Sequence, residues 1–347
     1  MPGKKNVNGR PNIDVIEPTA SLPGGEIRIV GKALRPTTWR QPQVRIGEVE
    51  GGVVISASDF LVARVPEGAT SGPLVVSSDG AASNPYEVKV AVPIAESLHP
   101  VANPALDAEG NLYVTFSGSR GQKVPVAIYK IDTDYNVQPF VTEMMNATGI
   151  AFDREGLMYV SSRFDGTIYR VTPNGVISTY AQGLGVATGI AFDPEENLYV
   201  GDRSGTIFKI SRDRQIFVYA TLEPSVSAYH LAFGPGGDLY VTGPTTSSYD
   251  VVHRVNPQGE VATFYRGLGR PQGLAFDVAG NLYVAASLAG RRGIIKITPP
   301  GEASLAVAGP SLVGLAFAPG RSVVLATNSS VYRLAWDIEG RVLGALP

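Results

Sequence analysis

The side chains with most to offer chemically are three histidines and a scatter of arginines. His99, His230 and His253 have no histidine four residues away, so the helical HExxH arrangement that holds zinc is absent. His230 follows Tyr229 and stands where related segments of the chain carry glycine, which singles it out for acid–base work or for orienting a ligand. The plainer alternative is a histidine packed for structural reasons. His253 lies beside Arg254 in an apolar run and reads as part of a strand. Ser117 and Ser119 sit in a glycine-bearing loop without a visible base partner, and no phosphate-binding loop opens a helix. A chain of 347 residues with no cysteine excludes disulfides, thiolate catalysis and cysteine-ligated metals.

The elements that position these residues follow from an internal repeat. GIAFDREGLMYV (149–160) returns as GIAFDPEENLYV (189–200), HLAFGPGGDLYV (230–241), GLAFDVAGNLYV (273–284) and, more loosely, GLAFAPGRSVVL (314–325), with an earlier copy NPALDAEGNLYV (103–114). The spacing is about forty residues, and each unit holds four short runs rich in β-branched and aromatic residues, separated by turn residues. Four strands per unit in six units predict a six-bladed β-propeller over 93–347. The excess of 40 Gly and 26 Pro fits the many turns this requires, and nothing reads as an amphipathic helix.

A residue repeated in every unit serves the unit. On that rule Asp107, Asp153, Asp193 and Asp277 start tight turns, and Tyr113, Tyr159, Tyr199, Tyr240 and Tyr283 pack between blades. The basic residue of each third strand, Lys130, Arg170, Lys209, Arg254, Lys296 or Arg333, is read as framework for the same reason. What departs from the repeat lies mainly between the second and third strands: blade three makes that connection briefly, in 201–205, whereas 115–125, 242–250 and 286–293 are longer. These loops predict one rimmed mouth of the central channel carrying Arg120, Arg163, Arg203, Arg291 and Arg292 with Asp202, over Thr148, Thr188, Tyr229 and Gln272. Such a collar suits an anionic or polyhydroxylated ligand through charge-assisted hydrogen bonds; a merely solvated loop surface is the alternative.

Residues 11–92, after a tail over 1–10, lack the repeat and alternate apolar and polar residues between Gly/Pro turns, as in a small β-sandwich. Ile16, Pro18, Gly24, Gly25, Ile29, Gly31, Val44 to Gly47, Val65, Pro66 and Gly72 resemble the IPT/TIG immunoglobulin-like family. The expected fold is thus all-β: a small Ig-like sandwich followed by a six-bladed propeller. Residues near 90–96 could form either an outer strand closing the last blade or the final sandwich strand.

The repeats resemble NHL-type units and the gluconolactonase and senescence-marker-protein propellers. That resemblance implies a lactone hydrolase with one calcium or zinc ion in the channel, held by Glu, Asn and Asp. The corresponding slots here hold Ala102, Tyr229 and Gln272, with Thr148, Thr188 and Val313 in the other blades, so those ligand positions are not retained, and a calcium or zinc ion would need replacement carboxylates such as Asp202.

Three function classes remain. The first is a binding protein for a small molecule or glycan at the channel mouth. The second is a gluconolactonase-like hydrolase with a reorganised site in which His230 or a metal acts. The third is an assembly module whose TIG-like domain meets a protein partner. A net charge of −2 gives no global attraction for nucleic acid, and no basic run is interleaved with aromatics. No apolar stretch reaches membrane-spanning length and no leader is visible, so a cytoplasmic location is expected.

Overall fold

The structure is a computed structural model that describes residues 9–246 and 250–341. Its regular elements are all β-strands, and among the described residues no helix is long and apolar enough to cross a membrane. The chain divides into two compact units. One takes in residues up to Val92 with Arg291–Gly293 and Leu305–Pro310; the other takes Pro93–Gly290, Ile294–Ser304 and the residues from Ser311 on.

In the first unit, strands Asn12–Glu17, Glu26–Lys32, Phe60–Arg64 and Val49–Ser56 pair antiparallel in that order. Gln43–Ile46 pairs with Val49–Ser56 and with Gly72–Ser78, which continues to Tyr86–Val90. Period-two alternation decides which side chains enter the core. In Glu26–Lys32, Ile27 and Ile29 are buried with Val44, Ile46, Leu61 and Leu74, while Arg28 turns outward over the ring of Phe60.

The second unit is the propeller. Five blades run consecutively from strands Ala105–Leu106, Ala147–Phe152, Ala187–Phe192, His230–Phe233 and Leu274–Phe276, each followed by further strands in antiparallel order. The sixth is built from Leu312–Ala318, Ser322–Thr327 and Ser330–Ala335, and its outermost strand is Val92–Glu96 from the start of the propeller. Of the two possible closures, the outer-strand one is therefore observed. The first strands neighbour one another around the ring, with Ala105–Leu106 returning to Leu312–Ala318.

The repeat residues explain the cohesion of the ring. Each tyrosine meets, edge to face, the phenylalanine of the following blade: Tyr113 with Phe152, Tyr159 with Phe192, Tyr199 with Phe233, Tyr240 with Phe276 and Tyr283 with Phe317. The turn acids work as the sequence implies. Asp193 accepts from the Asn197 backbone and side-chain amides at 2.8 Å, and Asp107, Asp153 and Asp277 accept from equivalent turn amides. Third-strand lysines lie over the cross-strand tyrosines, Lys130 on Tyr113 and Lys209 on Tyr199. The seam between the sixth and first blades differs. There Val324 and Leu106 hold the tyrosine and phenylalanine positions, in an aliphatic cluster with Ala95, Leu98 and Leu112.

Candidate functional site

The inner strands leave a channel because of one small residue. Ala105, Ala151, Ala191, Ala232, Ala275 and Ala316 occupy the same register position, each opposite the tyrosine, or Val324, of its second strand. With no side chain beyond Cβ on any blade, a bore remains: a cavity of about 440 Å³ whose wall carries these alanines with Ile150, Ile190, Leu231, Leu274 and Leu315. It extends toward the turns between first and second strands, past Phe152, Phe192, Phe233, Phe276 and Phe317. Arg154, Asp153, Asp193, Glu196 and Arg341 stand at that rim.

The other end narrows at a ring of glycines. A Cβ on Gly189 would lie 2.4 Å from the Tyr229 carbonyl oxygen, so only glycine lets neighbouring inner strands approach this closely. The equivalent positions hold Gly149, Gly273 and Gly314, together with two larger residues, Asn103 and His230. Asn103 donates to the Leu274 carbonyl at 2.8 Å and accepts from the Leu315 amide at 3.1 Å, tying two blades together.

His230 also lines the cavity, 4% exposed. No hydrogen-bond partner for its ring is present among the described residues. Burial alone lowers its pKa from the ordinary 6.5 to about 4, so the ring is neutral at neutral pH and offers one donor and one acceptor to whatever occupies the bore.

At the rim the acids are committed elsewhere. Asp153 accepts turn amides, Asp193 is bound by Asn197 and stands 4.0 Å from Lys209, and Glu196 accepts from the Arg154 amide. Arg154 donates to the Pro194 carbonyl. Arg341 differs. Its amide donates to the Phe276 carbonyl as the C-terminal segment returns along the fifth blade, and its Nη1 is buried without a partner.

The structure redistributes the residues expected at the loop-side mouth. Thr148, Thr188 and Tyr229 are buried and serve the blades: Thr188 Oγ1 donates to the Gly201 carbonyl and accepts from the Tyr229 amide, and the Tyr229 hydroxyl donates to the Glu223 carbonyl. Gln272 accepts the Thr242 hydroxyl on its carbonyl. Asp202 accepts from the Val186 amide and from Ser204 within its own turn. Arg291 groups with the first unit, where its Nη2 donates to the Glu17 carbonyl, and the exposed Arg292 groups there too. Arg120, Arg163 and Arg203 do gather on the loop side, away from the cavity wall. Residues 247–249 of the blade-four loop lie outside the described residues. His230, singled out by the sequence, lines this bore, whereas the alanine wall and Arg341 were not singled out. The alanine that precedes the Phe or Leu in all six units was the available signal for the bore; the placement of Arg341 has none in the repeat.

Among the described residues no three His, Cys, Asp or Glu side chains are grouped to hold a metal ion. Of the slots that correspond to lactonase metal ligands, Ala102 has no donor and Tyr229 is packed in the core, so these two residues do not fit a channel cation.

No family model matches the sequence, and no curated protein is significantly similar to it. Solved structures are similar in fold. An auxiliary nutrient binding protein from Bacteroides thetaiotaomicron superposes with a TM-score of 0.57 at 13% identity, over 94% of this chain and 98% of that one. A gluconolactonase from Xanthomonas campestris gives 0.57 at 14% identity, over 70% and 88%. Virginiamycin B lyase from Staphylococcus aureus gives 0.52 at 16% identity, over 72% and 86%. The fold is that of the gluconolactonase and virginiamycin lyase propellers. At these identities the likeness is one of architecture, and what the channel does follows from its own residues.

Proposed function

We propose that the protein binds a small molecule in the propeller channel, entering from the hairpin face. The observation that carries this reading is the cavity of about 440 Å³, apolar along its wall and ending at the buried, unpartnered ring of His230. Its size falls within the roughly 300 to 1,000 Å³ of small-molecule sites, and apolar walls with a few convergent polar groups are their common character. The occupant has an apolar body, a hydrogen-bonding group that meets His230, and an anionic group near Arg341 at the rim. The alanine and leucine wall disfavours a polyhydroxylated sugar, whose hydroxyls would lose water without gaining partners. The description of the Bacteroides neighbour as an auxiliary nutrient binding protein agrees with a binding role.

A hydrolase is less well supported. No metal donors are grouped among the described residues, and a histidine whose pKa is about 4, with no carboxylate to orient it, is a weak general base near neutral pH. The first unit is read as an IPT/TIG-like domain acting as spacer or interaction module.

Titration with medium-chain and aromatic carboxylates, beside gluconate as the sugar-acid control, tests the reading. The apolar carboxylates should bind saturably and Ala275→Trp should abolish that binding. Preference for gluconate, or binding untouched by Ala275→Trp, overturns it.

A further inference from the structure

The loop side of the propeller holds a second constellation, remote from the channel wall. Arg163 and Arg203 follow strands Met158–Ser162 and Leu198–Asp202 in adjacent blades and hold matching places: their amides donate to the carbonyls of Asn146 and Val186, each one residue before an inner strand. Their side chains leave the same face of the ring from neighbouring blades.

The first blade contributes a third cation. Its 115–125 loop is tied down by Asn146, a fully buried residue of the next blade. The Asn146 Nδ2 donates to the carbonyls of Gly118 at 3.2 Å and Ser119 at 3.0 Å, and its Oδ1 accepts from the Gly121 amide at 2.7 Å. Arg120 lies between Ser119 and Gly121, both held in this way. Arg163 Nη2 donates to the same Gly118 carbonyl, which brings its guanidinium under the loop.

None of these three arginines forms a salt bridge among the described residues. Arg203 Nε donates only to the Ser225 carbonyl, at 3.2 Å, and Arg163 Nε is buried with no partner. Burial, then the charges of Arg203 and Arg120, depress the pKa of Arg163, and no carboxylate offsets them. Asp165 and Asp202, on the same loops, accept from Tyr169 and Thr167 and from Val186 and Ser204 rather than from these arginines. A half-buried guanidinium with an orphaned donor and two like charges beside it is unfavourable unless an anion completes it.

We propose that Arg120, Arg163 and Arg203 form a site for a multiply charged oxyanion, a phosphate group carried free or on a small organic molecule. Guanidinium forks match the oxygens of such a group, and the blades fix two of the three forks. The site is independent of the channel ligand, since none of its residues lines the cavity.

Isothermal titration of the full chain with inorganic phosphate and, separately, with glycerol 3-phosphate, at constant ionic strength, tests it. Saturable binding is expected, weakened by about 10-fold or more in Arg163→Met and in Arg203→Met, as loss of one charge-assisted hydrogen bond implies. Tighter binding of the ester would mark the organic phosphate as the occupant; equal binding would mark the free anion. Phosphate should raise the melting temperature of the wild type and not that of Arg163→Met. In phosphate-free buffer Arg163→Met should melt no lower than wild type, because it removes an uncompensated charge. If it does not fold, Arg203→Met decides the question. Absence of saturable binding up to about 10 mM, far weaker than a specific site gives, or equal binding by Arg203→Met and wild type, overturns the proposal.

Discussion

The two ends of the propeller channel are made from the same six repeats and differ in almost everything. Toward the hairpin face the repeat is followed faithfully: alanine after alanine and one phenylalanine per blade in five of six, giving an apolar bore. Toward the loop face the inner strands converge on glycines, polar side chains are spent on neighbouring carbonyls, and arginines stand in only some of the blades, Arg163 and Arg203 at matching places and Arg120 on the longer first-blade loop. Repetition supplies the volume and departure from repetition supplies the charge. His230 belongs to both, a departure placed at the floor of the repeated bore.

The comparison can be broken most severely at the neck. Gly189→Ala puts a methyl 2.4 Å from a carbonyl oxygen of the next blade, and backbone there has little room to move. A loss of about 3 kcal/mol or more in denaturant unfolding is expected. The same methyl is tolerated two residues later, where Ala191 is native.

Acid should act next, through His230. Its folded pKa of about 4 lies below the ordinary 6.5, so between those values the unfolded chain binds the additional proton and stability falls as pH falls. The contribution is intact above pH 6.5 and fully lost below pH 4. It amounts to a few kcal/mol, since each tenfold change in proton affinity is worth roughly 1.4 kcal/mol. Burial lowers His253 as well, with the same sign. In His230→Ala the stability profile between pH 6.5 and 4 should be markedly flatter, which unfolding at several pH values would show.

Thr188→Val removes a hydroxyl that bridges the Gly201 carbonyl and the Tyr229 amide, and should cost about 1 to 3 kcal/mol because both groups stay buried. Denaturant unfolding would measure it. The smallest effect on stability belongs to the bore. Ala275→Leu points added carbon into open volume, so a change within about 0.5 kcal/mol is expected, while the capacity for a channel ligand falls sharply.

The blades were legible because their strands, turns and seam aromatics recur, and each recurrence restates one local requirement. Asp193 and Tyr199 could be assigned to framework from the repeat alone. The end of the channel at which the cavity lies was not legible. Long loops drew attention to the face where loops vary, yet Thr188 and Tyr229 turned inward to satisfy backbone groups that a sequence does not display. The cavity itself is written in alanine, a residue with no functional group to notice. Arg341 reaches the rim because the C-terminal segment pairs back on Asp277, a contact between positions far apart in the chain.

The outer strand of the sixth blade, Val92–Glu96, is made before the five blades that separate it in sequence from its partner Ser330–Ala335. During translation five blades can be complete while the ring still gapes, with one strand edge unpaired at each side of the opening. An unpaired edge is an invitation to other nascent chains, and joining it to its distant partner carries the entropy of closing a very long loop. A chain stopped short of Ser330 therefore leaves the ribosome as an open arc with two adhesive edges, and its fate is set by how quickly those edges meet something else.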